Sequence, residues 1–203
     1  PELEIMPKKP SDKPEIVESR AKPFFHKVGA QFSCDFVRYR IRFGFRFDQA
    51  VLDSPGFADQ ITRLQLTLRD QLPPGLAIET VAIAGDITGS GGGALPAHVI
   101  STTASPDDTV TFGTFQLSPD DLDGFGSPLE RSMSMTITAR IDQASFPSPT
   151  IVPNQAMLDV SRVGGPVTTI GSHDPALPDD GDISTGEPTK IAIDVTDCEP
   201  PPP

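Results

Sequence analysis

The sequence contains no tryptophan and a single tyrosine, Tyr39. A carbohydrate platform of stacked rings is therefore not expected, although 12 phenylalanines keep some aromatic surface in play. Only three histidines occur, His26, His98 and His173, and their spacing fits no metal-ligand motif. His173-Asp174 has no nucleophile elbow beside it. No Cys-x-x-Cys exists, which removes zinc knuckles and thioredoxin-type motifs. The glycine-rich stretch TGSGGGAL at 88–95 lacks the Gly-Lys-Ser/Thr ending of a phosphate loop. No run of 18 apolar residues is present, so no helical membrane span is expected. No signal-peptide pattern opens the sequence at Pro1, which fits a processed or trimmed chain. Basic residues are scarce, 16 against 28 acidic, for a formal charge of −12. Nucleic acid needs a basic footprint and is excluded as a general partner.

Ten of the 16 basic residues are arginines, and four cluster in FVRYRIRFGFRF, Phe36 to Phe47. Val37, Tyr39, Ile41, Phe43, Phe45 and Phe47 alternate with Arg38, Arg40, Arg42, Gly44 and Arg46. Alternate side chains of a strand point to opposite faces, so one face is apolar and the other carries arginine. Three readings fit the arginine face. It is a solvated outer sheet paired with acids on adjacent strands, a contact between subunits, or a site for a surface polyanion. An acidic counterpart exists at residues 174–199, where eight carboxylates stand against Lys190 alone. Opposite faces on one subunit favour head-to-tail association of copies, which propagates as a filament.

Proline and glycine total 40 of the 203 residues, too many for a helical protein and too few for a low-complexity chain. No helix-period segment of ten residues stands out. Strands are expected over 31–47, with Gly44 a candidate bulge, and then over 61–68, 76–83, 110–117, 132–142, 154–161 and 190–195. Turn-rich segments separate them, and 162–188 reads as loop. Strands at such intervals predict an all-β, immunoglobulin-like β-sandwich with long loops. Residues 1–25 read as an extended, proline-rich N-terminal arm, 26–197 as the sandwich, and 198–203 as a proline-rich tail. In the arm, Leu3 and Ile5, then Ile16 and Val17, could form short strands lent to a neighbouring subunit. The alternative is a solvated linker.

The elements VGAQFSCDFVRYRI, LTLRDQLPPGLAIETV, VTFGTFQL and VPNQAMLDV follow one another in a familiar order. This pattern resembles a β-sandwich repeat of bacterial and archaeal surface proteins, whose copies carry Asp-x-Leu-Pro-x-Gly-Leu and, later, Asn-x-Ala. The resemblance covers about residues 28–160, and DQLPPGL is its most specific piece. That repeat is in turn related to the isopeptide-forming domains of fimbrial subunits. The resemblance implies an immunoglobulin-like fold and a role in surface structures, not an enzyme. The usual glycine-acid pair before the first long strand reads Gly29-Ala30 here.

An isopeptide bond needs a lysine amine, an asparagine side chain and a buried acid that shuttles protons. Asn154 is the sole asparagine and stands at the family's late-strand position. Lys22 and Lys27 are the candidate amines. The plainer alternatives are a turn at Asn154 after Pro153 and a solvated Lys27 beside His26. Cys34 and Cys198 either close one large loop in an oxidising setting or remain unrelated thiols. Asp179, Asp180 and Asp182 form a weak calcium candidate, matching no twelve-residue calcium loop, and no other cofactor is expected. The function expected is a non-enzymatic extracellular structural subunit of a filament, pilus or surface layer. It would assemble with copies of itself through the arm, the residues Arg38, Arg40, Arg42 and Arg46, or both. The runner-up is a cell-surface adhesion module for a host ligand.

Overall fold

The computed structural model describes residues 22–85, 87, 101–102, 108–118, 129–177 and 186–198. Among the described residues, eleven strands form three antiparallel groups. The first sheet has the order β1-β2-β7-β4, with β1 at Lys22–Gln31, β2 at Phe36–Phe47, β7 at Leu129–Ile141 and β4 at Leu76–Gly85. The second has the order β10-β9-β3-β6-β5, with β10 at Val167–Gly171, β9 at Met157–Arg162, β3 at Leu64–Gln71, β6 at Thr109–Phe115 and β5 at Ser101–Thr102. A ribbon of β11, Thr189–Ile193, and β8, Thr150–Asn154, completes the set. The all-β sandwich expected from strand spacing is the fold.

The core follows from period-two patterning. In β2, Val37, Tyr39, Ile41, Phe43, Phe45 and Phe47 are all buried, while the arginines between them are exposed. In β7, Met133, Met135, Ile137, Ala139 and Ile141 are buried beside them, with Tyr39 opposite Ile137 in register. Leu64, Leu66 and Leu68 of β3, with Leu158 and Val160 of β9, are buried on the second sheet. Each such side chain contributes about 1.5–3 kcal/mol by burial. In β4 the apolar phase jumps between Leu76-Ile78 and Val81-Ile83. A register shift between Ile78 and Thr80 absorbs the jump, with Glu79 as the extra residue.

Several boundaries differ from the sequence reading. The expected strand over 31–47 is two: β1 ends at Gln31, a turn follows, and β2 starts at Phe36. Residues 22–25, assigned to the arm, belong to β1 and pair with β2. Gly44 is no bulge, since both of its ladders are regular there. A Cβ at Gly44 would collide with the Arg131 carbonyl and the Phe24 ring, so close approach is what requires glycine. Ile61 ends a short helix, Phe57–Ile61, rather than opening a strand. The 154–161 strand is two strands broken at Gln155 and Ala156, and β10 lies inside the stretch read as loop. The Leu3, Ile5, Ile16 and Val17 segments, the Asp179, Asp180 and Asp182 cluster, and the tail beyond Cys198 fall outside the described residues.

Candidate functional site

Lys27 sits on the inward face of β1 and is fully buried. A lysine in a core must find a partner or lose its charge. Its Nζ donates to both carboxylate oxygens of Asp70, at 2.7 and 2.6 Å. Asp70 is fully buried as well. It follows Leu64, Leu66 and Leu68 on the same face of β3, and period-two alternation carries it into the core. Asp70 is also the first residue of the DQLPPGL motif. Burial brings the Lys27 ammonium down to about 8 from its ordinary 10.5, against the opposing charge and hydrogen bonds of Asp70. A lysine in that state supplies neutral amine near physiological pH.

Backbone pairing positions Asn154 on the same spot. The Lys27 N–H donates to the His173 carbonyl at 3.0 Å, and the His173 N–H donates to the Phe25 carbonyl at 2.8 Å. The Thr189 hydroxyl donates to the Lys27 carbonyl at 2.6 Å. Thr189 stands opposite Asn154 in the β11–β8 register. Thr189 of β11 thus bridges Lys27 of β1 and Asn154 of β8. The register singles out Lys27; Lys22 opens β1 opposite Arg46. Asn154 is a buried end-of-strand residue rather than a turn, and Lys27 is not solvated.

Tyr39 closes the cluster. Lys27 Nζ lies 4.2 Å from the centroid of its ring. Burial first, and then the Asp70 charge, push the Tyr39 hydroxyl well above its ordinary range, while the Asn154 side chain acts in the opposite direction. The hydroxyl therefore lies within reach of the Asn154 side chain. Yet the Tyr39 Oη and the Asn154 Nδ2 are buried with no hydrogen-bond partner among the described residues. An unpartnered buried donor costs about 1–3 kcal/mol, so two of them, one on the ring that Lys27 Nζ overlies, form a conspicuous deficit. Asn154 also borders an open groove of about 770 Å³ lined by Leu72, Pro73, Thr109, Pro153 and Gln155. Gly29 makes room for the phenol, since a Cβ there would stand 2.6 Å from the Tyr39 ring.

The arginine strand has its acidic partner. Arg42 and Arg46 both donate to Glu130 of β7, at 2.7 and 2.9 Å. The Arg46 hydrogen bond is the main cause holding the Glu130 carboxyl below its usual range. Arg38 stacks over Phe32 at 4.6 Å instead. Arg38 and Arg40 have no carboxylate partner among the described residues, and they line a shallow depression with Thr80, Ala82, Thr136 and Thr138. Cys34 and Cys198 are bonded at 2.04 Å, tying the β1–β2 turn to the end of the described chain. No group of three or more His, Cys, Asp or Glu residues suited to a metal occurs among the described residues, and no helix there is long and apolar enough to cross a membrane.

The fold is shared with BcpA, the major pilin subunit of Bacillus cereus, at 14% identity and a TM-score of 0.50 over 84% of this chain. This chain spans 40% of that pilin's length. Also similar are the collagen-binding domain of a Staphylococcus aureus adhesin (14% identity, TM-score 0.42, covering 84% of this chain and 97% of that one) and domains D2 and D3 of the major pilin SpaD of Corynebacterium diphtheriae (15% identity, TM-score 0.44, covering 73% and 50%). No curated protein matches the sequence. A family profile covers nearly the whole sandwich, from the first residue of β1 to three residues past β11, and by that match the chain belongs to the DUF7929 family, a domain of unknown function, over residues 22–196.

Proposed function

We propose that this chain is a non-enzymatic structural domain of an extracellular filament, pilus or surface layer, locked internally by an isopeptide bond between Lys27 and Asn154. The observation that carries the reading is the buried Lys27–Asp70 pair, joined through Thr189 to Asn154, whose buried Nδ2 has no partner. A buried ion pair is seldom the most stable way to fill a core. A lysine pushed toward its neutral amine next to an unsatisfied carboxamide has a chemical use instead. Asp70 accepts a proton from the Lys27 ammonium. The freed amine attacks Asn154 Cγ, and the new C–N bond forms. Asp70 returns the proton to Nδ2, which leaves as ammonia. The attacking nitrogen then gives its second proton to Asp70, so the products are one amide, one ammonia and a protonated Asp70, with no change of oxidation state.

Such a bond clamps β1 to β8 across the β11 bridge. A sandwich so locked resists pulling along the chain, the mechanical requirement of a surface filament. Further support comes from the fold shared with a major pilin. Intact mass spectrometry of the purified chain tests the cross-link. After reduction of the disulfide, a mass lower than the sequence by one ammonia, with the deficit abolished in Lys27→Ala, is the expected result; an undiminished wild-type mass refutes it. Electron microscopy of the native material tests the filament.

The second reading, an adhesion module, is favoured by the Arg38–Arg40 depression, which suits an anionic host ligand or surface polyanion. Binding of a sulfated polymer that is lost in Arg40→Ala separates the two readings.

A further inference from the structure

We propose that Tyr39 donates the hydrogen bond that polarises the Asn154 carbonyl when Lys27 attacks it, an inference that rests on the cross-link proposed above. Tyr39 is the single tyrosine of the chain and the one inward residue of β2 with a polar atom. Valine, isoleucine or phenylalanine fills every other inward position of that strand. Its ring carries Lys27 Nζ at 4.2 Å, and its hydroxyl faces the Asn154 side chain. One side chain thus touches both the nucleophile and the group to be attacked.

The two unsatisfied atoms explain each other. The Asn154 side chain acts on the Tyr39 hydroxyl as a nearby hydrogen-bonding group, yet neither Tyr39 Oη nor Asn154 Nδ2 has a partner of good hydrogen-bond geometry. A half-turn of the carboxamide exchanges its nitrogen and oxygen, which have nearly the same shape. Oδ1 then accepts from the Tyr39 O–H, and the deficit at the phenol disappears. In this arrangement the amine adds to Cγ, and the carbonyl π electrons move onto Oδ1. Tyr39 stabilises that oxyanion by its hydrogen bond and keeps its own proton. Collapse re-forms the carbonyl and expels Nδ2, protonated by Asp70, as ammonia. Burial and the Asp70 charge hold the phenol in its protonated form, so the donor persists wherever the amine is free. A preorganised donor to a developing oxyanion, in a site that excludes water, typically contributes about 10²–10³ in rate.

Because Tyr39 is unique, global replacement of tyrosine by 3-fluorotyrosine alters this position alone. Cell-free synthesis, quenched in denaturant at timed intervals and read by intact mass, gives the rate of ammonia loss. Four chains are compared: wild type, Tyr39→Phe, the fluorotyrosine chain and Lys27→Ala. Tyr39→Phe should cross-link about 100-fold or more slowly than wild type. The more acidic fluorinated phenol is a stronger donor and should cross-link faster. Lys27→Ala should not lose ammonia at all. A folded, protease-resistant Tyr39→Phe that cross-links at the wild-type rate overturns the role of Tyr39 and leaves the cross-link standing. If Tyr39→Phe fails to fold, a fluorotyrosine rate equal to wild type overturns it instead. A wild-type chain that never loses ammonia overturns the cross-link itself.

Discussion

Replacing Asn154 by alanine removes the proposed electrophile and leaves Lys27 and Asp70 paired, so it isolates the contribution of the proposed covalent bond. A cross-link stabilises mainly by restricting the unfolded chain, in proportion to the logarithm of the loop it closes. Taken alone, a Lys27–Asn154 bond closes a loop of 127 residues, the separation of the two positions. That loop corresponds to about 5 kcal/mol. The Cys34–Cys198 bond changes the value, because it supplies a shorter path. The route runs 7 residues from Lys27 to Cys34, across the disulfide, and 44 residues between Cys198 and Asn154. With a loop of about 51 residues the second cross-link contributes about 4 kcal/mol. For a sandwich of this size that corresponds to a fall in Tm of roughly 8–16 °C. The assay is thermal denaturation by circular dichroism of wild type and Asn154→Ala, with intact mass to verify the bond. Repeating it in a Cys34→Ser/Cys198→Ser background should raise the isopeptide contribution by about 1 kcal/mol, since the short path is gone. If the wild-type mass is lower by one ammonia yet Asn154→Ala melts within about 2 °C of it, the chain-entropy argument is refuted.

Other outcomes follow from the same site. Asp70→Asn should abolish ammonia loss by intact mass, and it should destabilise the fold by about 3–5 kcal/mol in urea titration, because Lys27 is left without its counter-charge. In the Asn154→Ala chain, folding lowers the Lys27 pKa from 10.5 to about 8. The folded state then holds fewer protons than the unfolded one between those values, so stability should rise from about pH 8 toward pH 10. Above pH 10 it should fall again as unfolded Tyr39 ionises; a pH series of urea midpoints checks both signs, with Lys27→Met/Asn154→Ala losing the rise between pH 8 and 10 and keeping the fall above it. Gly29→Ala drives a methyl into the Tyr39 ring and Ile191, and should cost about 1–3 kcal/mol and slow cross-linking, read by melting and by mass. Charge reversal at Arg40 and Arg42 should weaken assembly of copies, and raised salt should act in the same direction; assembly monitored by light scattering that ignores both removes the arginine face as the contact.

The alternation in β2, β3 and β7 was legible because a strand's faces are set by its own dihedrals, independently of its neighbours. From it come the sandwich, the buried Phe43-Phe45-Phe47 row and the outward arginines. Asn154 could be singled out as well, by its uniqueness and motif position, whereas the sequence leaves Lys22 and Lys27 both as candidate amines. Asp70 is equally legible as an inward residue, being the first residue of DQLPPGL and the next position after Leu68 on its face. Alternation names a face without saying what lies across it. The β1–β2 hairpin was misread as one strand because Phe32 to Asp35 carries no glycine or proline to mark the turn. The edge strand β10 was missed because Gly164, Gly165 and Pro166 precede it and its outward positions are mixed. The partner of the arginines, Glu130, lies 84 and 88 residues from them, and only β2–β7 register brings it there. The convergence of Lys27, Asp70, Asn154 and Tyr39 is likewise tertiary. It needs the first sheet, the second sheet and the β8–β11 ribbon to meet at one point, and pairings between residues so distant in the chain are fixed by the packing of the whole core rather than by any local pattern.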